Sequence, residues 1–438
     1  MIIEFEISNF GPIREAKKIS FEATPDEHLS DYYIAEPIPG LRLLKLLIIY
    51  GANASGKSTL LEAIEFLREL SLNPLNDKND ELEFQPFLFD STSKSQHSSL
   101  QIAFLVNKVR YNYHVQFTRL YILSERLQYY PKNRVADFYT RTTDIENKVS
   151  KISFGSTLKV NNKELAIIEG NTLWNNTVLG AFNKTNVNIP ALNTVIKWFN
   201  ETLMSSVRPT TNLFNWTSDK VQDDPTFKTD ILEILKKADI QIDGIDIKTT
   251  QRELDEITLN RLAAWSISEK QKNQLLRDKK ITTRDIFFKH TVKEEGTATS
   301  YELINSMESR GTLRYYGLSG ILNTLINSNK IITIDELETS LHTDLMKHFI
   351  LVHLANSTFS QLAITTHNLS LLEDKENIRN DAVWFTEKKE NGTTDLYSLA
   401  DFDTSVLRKG ASIINSYKTG KLGAKPDLGS IFISKNHD

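Results

Sequence analysis

The sequence contains no cysteine in its 438 residues. This absence excludes disulfide bonds, thiol catalysis and zinc sites with cysteine ligands, and it agrees with a reducing cytoplasm. Long apolar runs are missing as well, since none approaches the roughly 20 residues that a membrane-spanning helix needs. The N-terminal residues also lack the basic segment that opens a signal peptide. We therefore expect a cytoplasmic protein that has no membrane partner.

An excess of basic charge is absent too, because 52 Lys and Arg face 56 Asp and Glu, which gives a net charge of −4. No global positive field draws such a protein to nucleic acid, so a contact of that kind is possible only through a local patch. One candidate patch is the basic cluster of Arg277, Lys279, Lys280, Arg284 and Lys289. The alternative is that this cluster is an ordinary solvated surface.

A glycine-rich loop is the most informative feature that is present. Residues 51–58 read Gly-Ala-Asn-Ala-Ser-Gly-Lys-Ser, directly after the apolar run 43–50 and before a helical pattern at 59–67. This spacing is a Walker A motif, in which backbone N–H groups and a helix N-terminus bind phosphates. Lys57 is predicted to reach the β and γ phosphates of a nucleoside triphosphate, and Ser58 to hold Mg²⁺. The predicted nucleotide-binding residues of the loop are Asn53, Ala54, Ser55, Gly56, Lys57, Ser58 and Thr59.

A second motif lies far downstream, where the β-branched run 330–334 ends in Asp335 and Glu336. Buried parallel strands read as continuous apolar runs, and sites form at their carboxyl ends. This pattern is a Walker B motif. It predicts that Asp335 holds Mg²⁺ and that Glu336 acts as the general base toward the attacking water.

Between these motifs, Ser309 and Gly311 open a helical pattern that runs to about Asn327. Ser309 is predicted to be the N-cap and Gly311 to allow close approach, so this helix end can bind an anion. Gly317 and Gly320 lie inside the same pattern, where no free N–H groups are available, and they predict close helix packing.

Past the Walker B motif come a helix, the apolar strand 361–365 and His367. In this order the motifs resemble the ABC-type ATPase heads of the SMC, RecF and OLD proteins. The chain is most similar to the stand-alone ATPases of prokaryotic phage-defence and abortive-infection systems, such as RloA, AbiLi and the AriA subunit of PARIS. The resemblance extends to residues 7–12, 384–388, 397–402 and 420–426.

The resemblance implies an α/β fold, an ABC-ATPase head with a mixed β-lobe and a P-loop core sheet flanked by helices, and a compact helical lid insertion. It also implies ATP and Mg²⁺ as cofactors, and a homodimer or higher homo-oligomer with composite ATP sites. In such a dimer Ser309 and Gly311 contact the γ-phosphate held by the other protomer, and His367 senses it in its own protomer. A Q-loop glutamine is expected where the lid joins the core, with Gln85 and Gln128 as candidates.

The expected domain order follows from changes of pattern along the chain. Residues 1–165 are predicted to be the strand-rich N-terminal part of the head with Walker A, and 166–284 a mostly helical lid. Residues 285–402 are predicted to carry the signature helix, Walker B and the switch histidine. Residues 403–438 are predicted to be a tail that docks a partner or a second subunit, or that covers the core. No heptad pattern persists for three or four heptads, so a long coiled coil is not expected.

Too few residues follow Phe402 for a TOPRIM or HNH nuclease domain, so we expect that this chain is not itself a nuclease. The leading hypothesis is a Mg²⁺-dependent ATPase that acts as sensor and scaffold of an anti-phage, abortive-infection system. It would control a separately encoded toxic effector, a TOPRIM or RloB-like nuclease. One alternative is a RecF-like DNA-repair ATPase that binds DNA, and another is a nucleotide-gated assembly with slow turnover.

Overall fold

The computed structural model describes residues 1–131, 134–156, 158–253, 277, 280–294, 297–374, 376–402 and 412–425. The chain divides into two compact units. The first comprises Met1–Thr211, Leu325–Thr339 and Ile350–Asp438, and the second comprises Asn212–Thr324 and Ser340–Phe349. The domain boundaries expected at 165, 284 and 402 stay predictions. Residues 403–411 and 426–438 of the predicted tail, and residues 254–276 and Lys279 of the predicted lid, lie outside the described residues.

An antiparallel sheet makes up much of the first unit. Over the described ranges its strands are β1 (Ile2–Ser8), β2 (Lys17–Ser20), β6 (Ser98–Val106), β7 (Val109–Phe117), β8 (Ile122–Tyr129), β9 (Ala136–Asp144) and β10 (Val149–Phe154). Their order across the sheet is β10, β9, β8, β7, β6, β1, β2. A separate hairpin pairs β3 (Ile34–Ile38) with β4 (Leu41–Leu44).

The core sheet of the first unit is mostly parallel. Its described strands are β5 (Leu46–Gly51), β14 (Ile331–Ile334), β15 (Gln361–Thr365), β16 (Val383–Lys388) and β17 (Thr394–Ser398). They lie in the order β14, β15, β5, β16, β17, and only the β16 to β17 pairing is antiparallel. Every residue of β5, β14 and β15 is buried, as continuous apolar runs predict. The predicted α/β fold with a P-loop sheet is confirmed.

Helices of the first unit include α1 (Ser30–Tyr33), α2 (Lys57–Leu72), α3 (Asn162–Asn171), α4 (Val178–Phe182), α5 (Pro190–Lys197) and α10 (Ile413–Lys418). The helix predicted after the glycine-rich loop is therefore confirmed, and it runs five residues beyond the pattern at 59–67. In the described part of the chain, no helix is both long and apolar enough to cross a lipid bilayer.

The second unit combines helices with a three-stranded sheet. Its described elements are α6 (Leu213–Asp223), α7 (Pro225–Lys237), β11 (Gly244–Glu253), β12 (Lys280–Glu294) and β13 (Thr297–Ile304). Helices α8 (Arg310–Asn327) and α9 (Thr343–Asn356) each continue from one unit into the other along the chain. Helix α7 begins directly after Asp224, whose side chain caps it by accepting from the N–H groups of Thr226 and Phe227.

The sheet of the second unit is not predicted by the sequence. We expect a mostly helical segment at 166–284, and this is wrong for 244–253, which form β11, and for 280–284, which belong to β12. The local sequence does not show this strand, because Ile286, Phe287 and Phe288 are consecutive apolar residues and polar and apolar residues do not alternate over 280–294. Antiparallel pairing on both sides, with β11 and with β13, then fixes the strand.

A buried lysine divides the apolar run before the Walker A loop into β4 and β5. The Lys45 ammonium donates to the carbonyl oxygens of Leu354 (2.7 Å) and Ser357 (2.9 Å), near the end of α9. Unpaired carbonyls at a helix C-terminus favour a cation there. His353 also pairs its Nε2 with the Lys45 carbonyl oxygen at 3.0 Å. The base of the P-loop strand is therefore tied to the helix that follows Walker B.

The pH dependence of stability tests this packing. Complete burial lowers the pKa of His353 from 6.5 to about 4. Because the unfolded chain takes up a proton below about pH 6.5 and the folded chain does not, stability is fully present above pH 6.5 and is lost as the pH falls toward 4. The loss from this residue is about 3 kcal/mol. Urea unfolding of His353→Gln between pH 7 and 4 is expected to show a weaker pH dependence than the parent, whereas substitution of the exposed His97 by Gln leaves the dependence unchanged.

Candidate functional site

The glycine-rich loop has the backbone that its sequence predicts. It connects the end of β5 at Gly51 to the start of α2 at Lys57, and Gly56 adopts a φ of 96°, which L side chains rarely reach. A Cβ on Gly51 would lie 2.3 Å from the Thr386 hydroxyl oxygen, so no larger residue fits there. Asn53 and Ala54 are exposed. The loop thus presents backbone at the N-terminus of a long helix, as phosphate binding requires.

Two threonines from neighbouring strands support the loop from behind. The Ser55 hydroxyl lies 2.6 Å from the hydroxyl of Thr386 on β16, and the Thr394 hydroxyl donates to the Ser55 carbonyl oxygen at 2.9 Å. Ser55 is buried, so its side chain stabilises the loop from the core. The sequence analysis does not identify Thr386 or Thr394, because nothing in their local sequence marks them as neighbours of a loop more than three hundred residues away.

Lys57 is held against the loop that it follows. Its ammonium donates to the carbonyl oxygens of Gly51 (2.9 Å) and Ala52 (3.0 Å). Burial lowers the pKa of Lys57, and the carboxylates of Asp335, Glu336 and Glu338 oppose that shift. An ammonium group has three N–H donors, so the two contacts with the loop leave one for a further acceptor.

The structure brings Ser58 and Asp335 together. The Ser58 hydroxyl donates to Asp335 Oδ1 at 3.0 Å, and the hydroxyl of Thr365, the last residue of β15, donates to the same oxygen at 2.5 Å. Carboxylate and hydroxyl oxygens suit Mg²⁺, which binds through one or two protein groups together with phosphate oxygens and water. The residues present therefore fit the predicted magnesium site. Their role as ligands stays a prediction.

Glu336 follows in an unusual backbone conformation. Its φ is 49°, and its N–H donates to the Thr365 hydroxyl oxygen at 2.8 Å. A positive φ is costly for a residue with a side chain and persists where surrounding contacts impose it, often at active sites. Here the chain turns sharply at the carboxyl end of β14, and Glu336 is only half-buried. This geometry suits the predicted general base.

His367 is paired with a carboxylate that the sequence analysis misses. Its Nδ1 lies 2.9 Å from Glu338 Oε1, and its backbone N–H donates to the same oxygen at 2.8 Å. The His367 side chain is 59% exposed whereas Glu338 is only 11% exposed. When Nδ1 carries the hydrogen of a neutral imidazole and donates to this carboxylate, Nε2 is left as an acceptor. Glu338 could have been found from its place two residues after the Walker B pair.

The Nδ1–H tautomer of His367 can be observed directly. Long-range ¹H–¹⁵N correlations of the imidazole, assigned with His367→Gln, are expected to show a protonated Nδ1 and a bare Nε2 at pH 8. Glu338→Ala removes the acceptor, so the ring should shift toward the Nε2–H form that free histidine prefers. Substitution of the exposed Glu390 by Ala is the control and should leave the His367 signals in place. An unchanged tautomer in Glu338→Ala would contradict the assigned pairing.

Ser309 and Gly311 belong to the second unit, and the contacts given below are all made inside that unit. The Ser309 hydroxyl accepts from the Thr312 N–H at 3.0 Å, so its predicted place as an N-cap is confirmed. A Cβ on Gly311 would lie 3.2 Å from the Ser340 carbonyl oxygen. Close packing at Gly317 and Gly320 is also confirmed, because Cβ atoms there would meet Leu213 and Thr217 at 2.7 and 2.3 Å. The phosphate contacts of Ser309 and Gly311 stay predictions.

The two candidate Q-loop glutamines occupy different places. The backbone carbonyl oxygen of Gln85 accepts from the Gly11 N–H at 2.7 Å. Gln85 also lines a cavity of about 610 Å³ together with Thr59 and Glu62 of α2. Gln128 lies on β8 of the antiparallel sheet and donates to Asp137 at 3.0 Å. Gln85 is therefore the better candidate of the two.

Comparisons with known proteins bear on this arrangement. The family model described as "AAA domain, putative AbiEii toxin, Type IV TA system" matches residues 46–373. No curated protein matches the sequence. Among solved structures, the SMC head domain from Thermotoga maritima is 13% identical, with 91% of this chain and 98% of that chain covered and a TM-score of 0.40. An SmcHead bound to the C-winged helix domain of ScpA is 12% identical, with coverage of 91% and 97% and a TM-score of 0.36.

Proposed function

The chain belongs to this family of AAA-type ATPases, and we propose that it binds ATP with Mg²⁺ and hydrolyses it at the edge of the core sheet. The observation that carries the proposal is the contact between Ser58 and Asp335, which joins the end of the glycine-rich loop to the end of β14. A hydroxyl, a carboxylate and a phosphate-binding helix N-terminus at one point are the parts that Mg²⁺-dependent phosphoryl transfer requires.

Each residue of the site has a distinct task in the proposed reaction. The loop N–H groups and Lys57 bind the phosphates, and Ser58 and Asp335 would hold Mg²⁺, which would supply positive charge to the phosphates. Glu336 accepts the proton of the attacking water, and Thr365 fixes its backbone. His367 senses the γ-phosphate on the side of Nε2, while Glu338 holds its Nδ1.

The proposed site is completed by a second copy of the chain. Ser309 and Arg310 are exposed at the start of α8, a helix of 18 residues whose N-terminus carries a partial positive charge. We propose that this end, with Gly311 next to it, contacts the γ-phosphate bound by the partner protomer. A closed two-fold dimer then holds two ATP molecules in equivalent composite sites.

At the level of the cell, we propose a role as sensor and scaffold in a prokaryotic abortive-infection system. The family description, which names an abortive-infection toxin and a toxin–antitoxin system, supports this role. The ATPase would bind a separately encoded effector, a nuclease of TOPRIM or RloB-like type. Hydrolysis of ATP would change the affinity of the ATPase for that effector.

The charge distribution favours a protein partner over DNA. In the basic cluster of the second unit, Arg284 pairs with Asp219, and Lys289 pairs with Asp246 at 2.6 Å and with Glu302 at 3.6 Å. These carboxylates neutralise two of the cations that a nucleic-acid patch would need.

Glu336→Gln tests hydrolysis and assembly together. The amide cannot accept the water proton, so turnover should fall by roughly 10²-fold or more while ATP binding is kept. Native mass spectrometry with ATP and Mg²⁺ is expected to show a dimer or larger assembly that retains the product of a neighbouring gene. Lys57→Ala is the control, since it should bind no ATP and stay unassembled. A Glu336→Gln monomer indifferent to ATP and to the neighbour would contradict the proposal, and DNA binding by it would favour the repair alternative.

Composite sites predict complementation between two inactive variants. Ser309→Arg blocks the helix end, and Lys57→Ala removes the phosphate-binding lysine, so each protein alone should lack ATPase activity. An equimolar mixture should recover roughly a quarter of the parent rate, because half of the dimers are mixed and each mixed dimer has one intact site. ATPase assays of the two proteins and of their mixture check this expectation. No recovery, although mixed dimers form, would place both residues in one site of a single protomer.

A further inference from the structure

A short segment extends the core sheet beyond β14. Residues 203–207 run parallel to β14, with the Met204 N–H donating to the Ile331 carbonyl oxygen (2.9 Å) and the Val207 N–H to that of Thr333 (2.8 Å). The Asp335 N–H in turn donates to the Val207 carbonyl oxygen at 2.8 Å. Since the carboxyl ends of parallel strands share one edge, Arg208 follows Val207 at the same edge as Asp335 and Glu336.

A cavity of about 170 Å³ connects Arg208 with the proposed magnesium site. Its described lining is Ser58, Leu61, Glu62, Glu65, Ser206, Arg208, Pro209, Thr210 and Asp335. Arg208 is the one cation in that lining. The cavity therefore lies between an arginine on one side and the hydroxyl and carboxylate proposed to hold Mg²⁺ on the other.

The Arg208 guanidinium is not committed to another partner among the residues that the structure describes. Its side chain is exposed and makes no ion pair there, and only its backbone N–H is bonded, to the Thr211 hydroxyl oxygen at 2.8 Å. The neighbouring Glu65 instead accepts from the Ser206 N–H at 2.9 Å and pairs with Arg68. A purely structural arginine at this place would be expected to close an ion pair with one of the adjacent carboxylates.

Glu62 shows that the charge of Arg208 reaches into the cavity. Glu62 lies four residues after Ser58 on α2, so the two side chains project from the same side of the helix. Partial burial raises the pKa of Glu62, while Arg208 lowers it and Asp335 raises it further. The carboxylates at this edge outnumber its cations, so a triphosphate with Mg²⁺ bound here would need a further positive group besides Lys57.

We propose that Arg208 is a nucleotide-binding residue whose guanidinium donates to the γ-phosphate of ATP from the Walker B side of the site. The planar guanidinium presents several donors in a fixed fork that matches phosphate oxygens. A contact with the terminal phosphate is made with ATP and not with ADP, so Arg208 makes the site selective for the triphosphate. This inference rests on the proposed function, because it deepens the assignment of the same site.

Binding constants for ATP and ADP test the proposal. In the Glu336→Gln background with Mg²⁺, Arg208→Ala is expected to weaken ATP binding by roughly 10- to 100-fold and ADP binding by less than about 3-fold. Arg208→Lys should retain part of the ATP affinity, because the charge remains while the fork is lost. Arg208→Gln provides a second uncharged variant of similar length. Isothermal titration gives both constants, and circular dichroism checks that each variant is folded.

The controls separate the inference from the proposed function. Arg134→Ala removes an exposed arginine of the first unit outside the cavity lining and should change neither constant. Equal losses of ATP and ADP affinity in Arg208→Ala, or no loss, would overturn the γ-phosphate contact while leaving the ATPase assignment intact. Failure of the parent to bind either nucleotide would overturn both. Loss of affinity for both ATP and ADP in Lys57→Ala identifies the glycine-rich loop as the place where the nucleotides bind.

Discussion

The shared carboxylate of Asp335 is the contact on which the proposed site depends. It accepts from Ser58 on the helix that follows the glycine-rich loop and from Thr365 at the end of the adjacent strand. Its backbone N–H donates to the Val207 carbonyl oxygen, on the segment that pairs with the outer edge of β14. Three chain segments remote in sequence thus meet at one residue. If Asp335 were displaced, the glycine-rich loop, β15 and residues 203–207 would lose the contact that they share.

The features that the sequence predicts well are those encoded in contiguous residues. The conformation of the glycine-rich loop depends on its own residues, so Gly51 and Gly56 predict it without information from distant segments. Strand β14 is recognisable because burial on both faces leaves only apolar residues. The Ser309 cap is recognisable because capping chemistry involves a residue and its near neighbours. In each case the interactions that determine the structure involve residues close in sequence, so the local residue pattern is enough to predict it.

The features that the sequence does not predict depend on pairing between distant segments. Thr386 is an ordinary strand threonine until the register of β16 against β5 places it behind Gly51. Glu338 becomes the partner of His367 only because β14 and β15 are neighbours and parallel. By its local sequence Arg208 is a solvated arginine in a polar stretch, and its proposed role follows only from the pairing of residues 203–207 with β14. The register in which distant strands pair leaves no recognisable pattern in the sequence of either strand.

The strand order of the core sheet sets the order in which the residues of the proposed site lie along its carboxyl edge. Across the carboxyl edge the strands contribute, in turn, the cation Arg208, the carboxylates of Asp335 and Glu336, the hydroxyl of Thr365, and then the phosphate loop. Two of the chain segments that lead from the first unit into the second also start at this edge, soon after Arg208 and soon after Glu336. Arg208 and Glu336 each lie four residues before a segment of the second unit, which begins at Asn212 and at Ser340. In the proposed site, a change in charge at the terminal phosphate would therefore act on residues that are close along the chain to both connections.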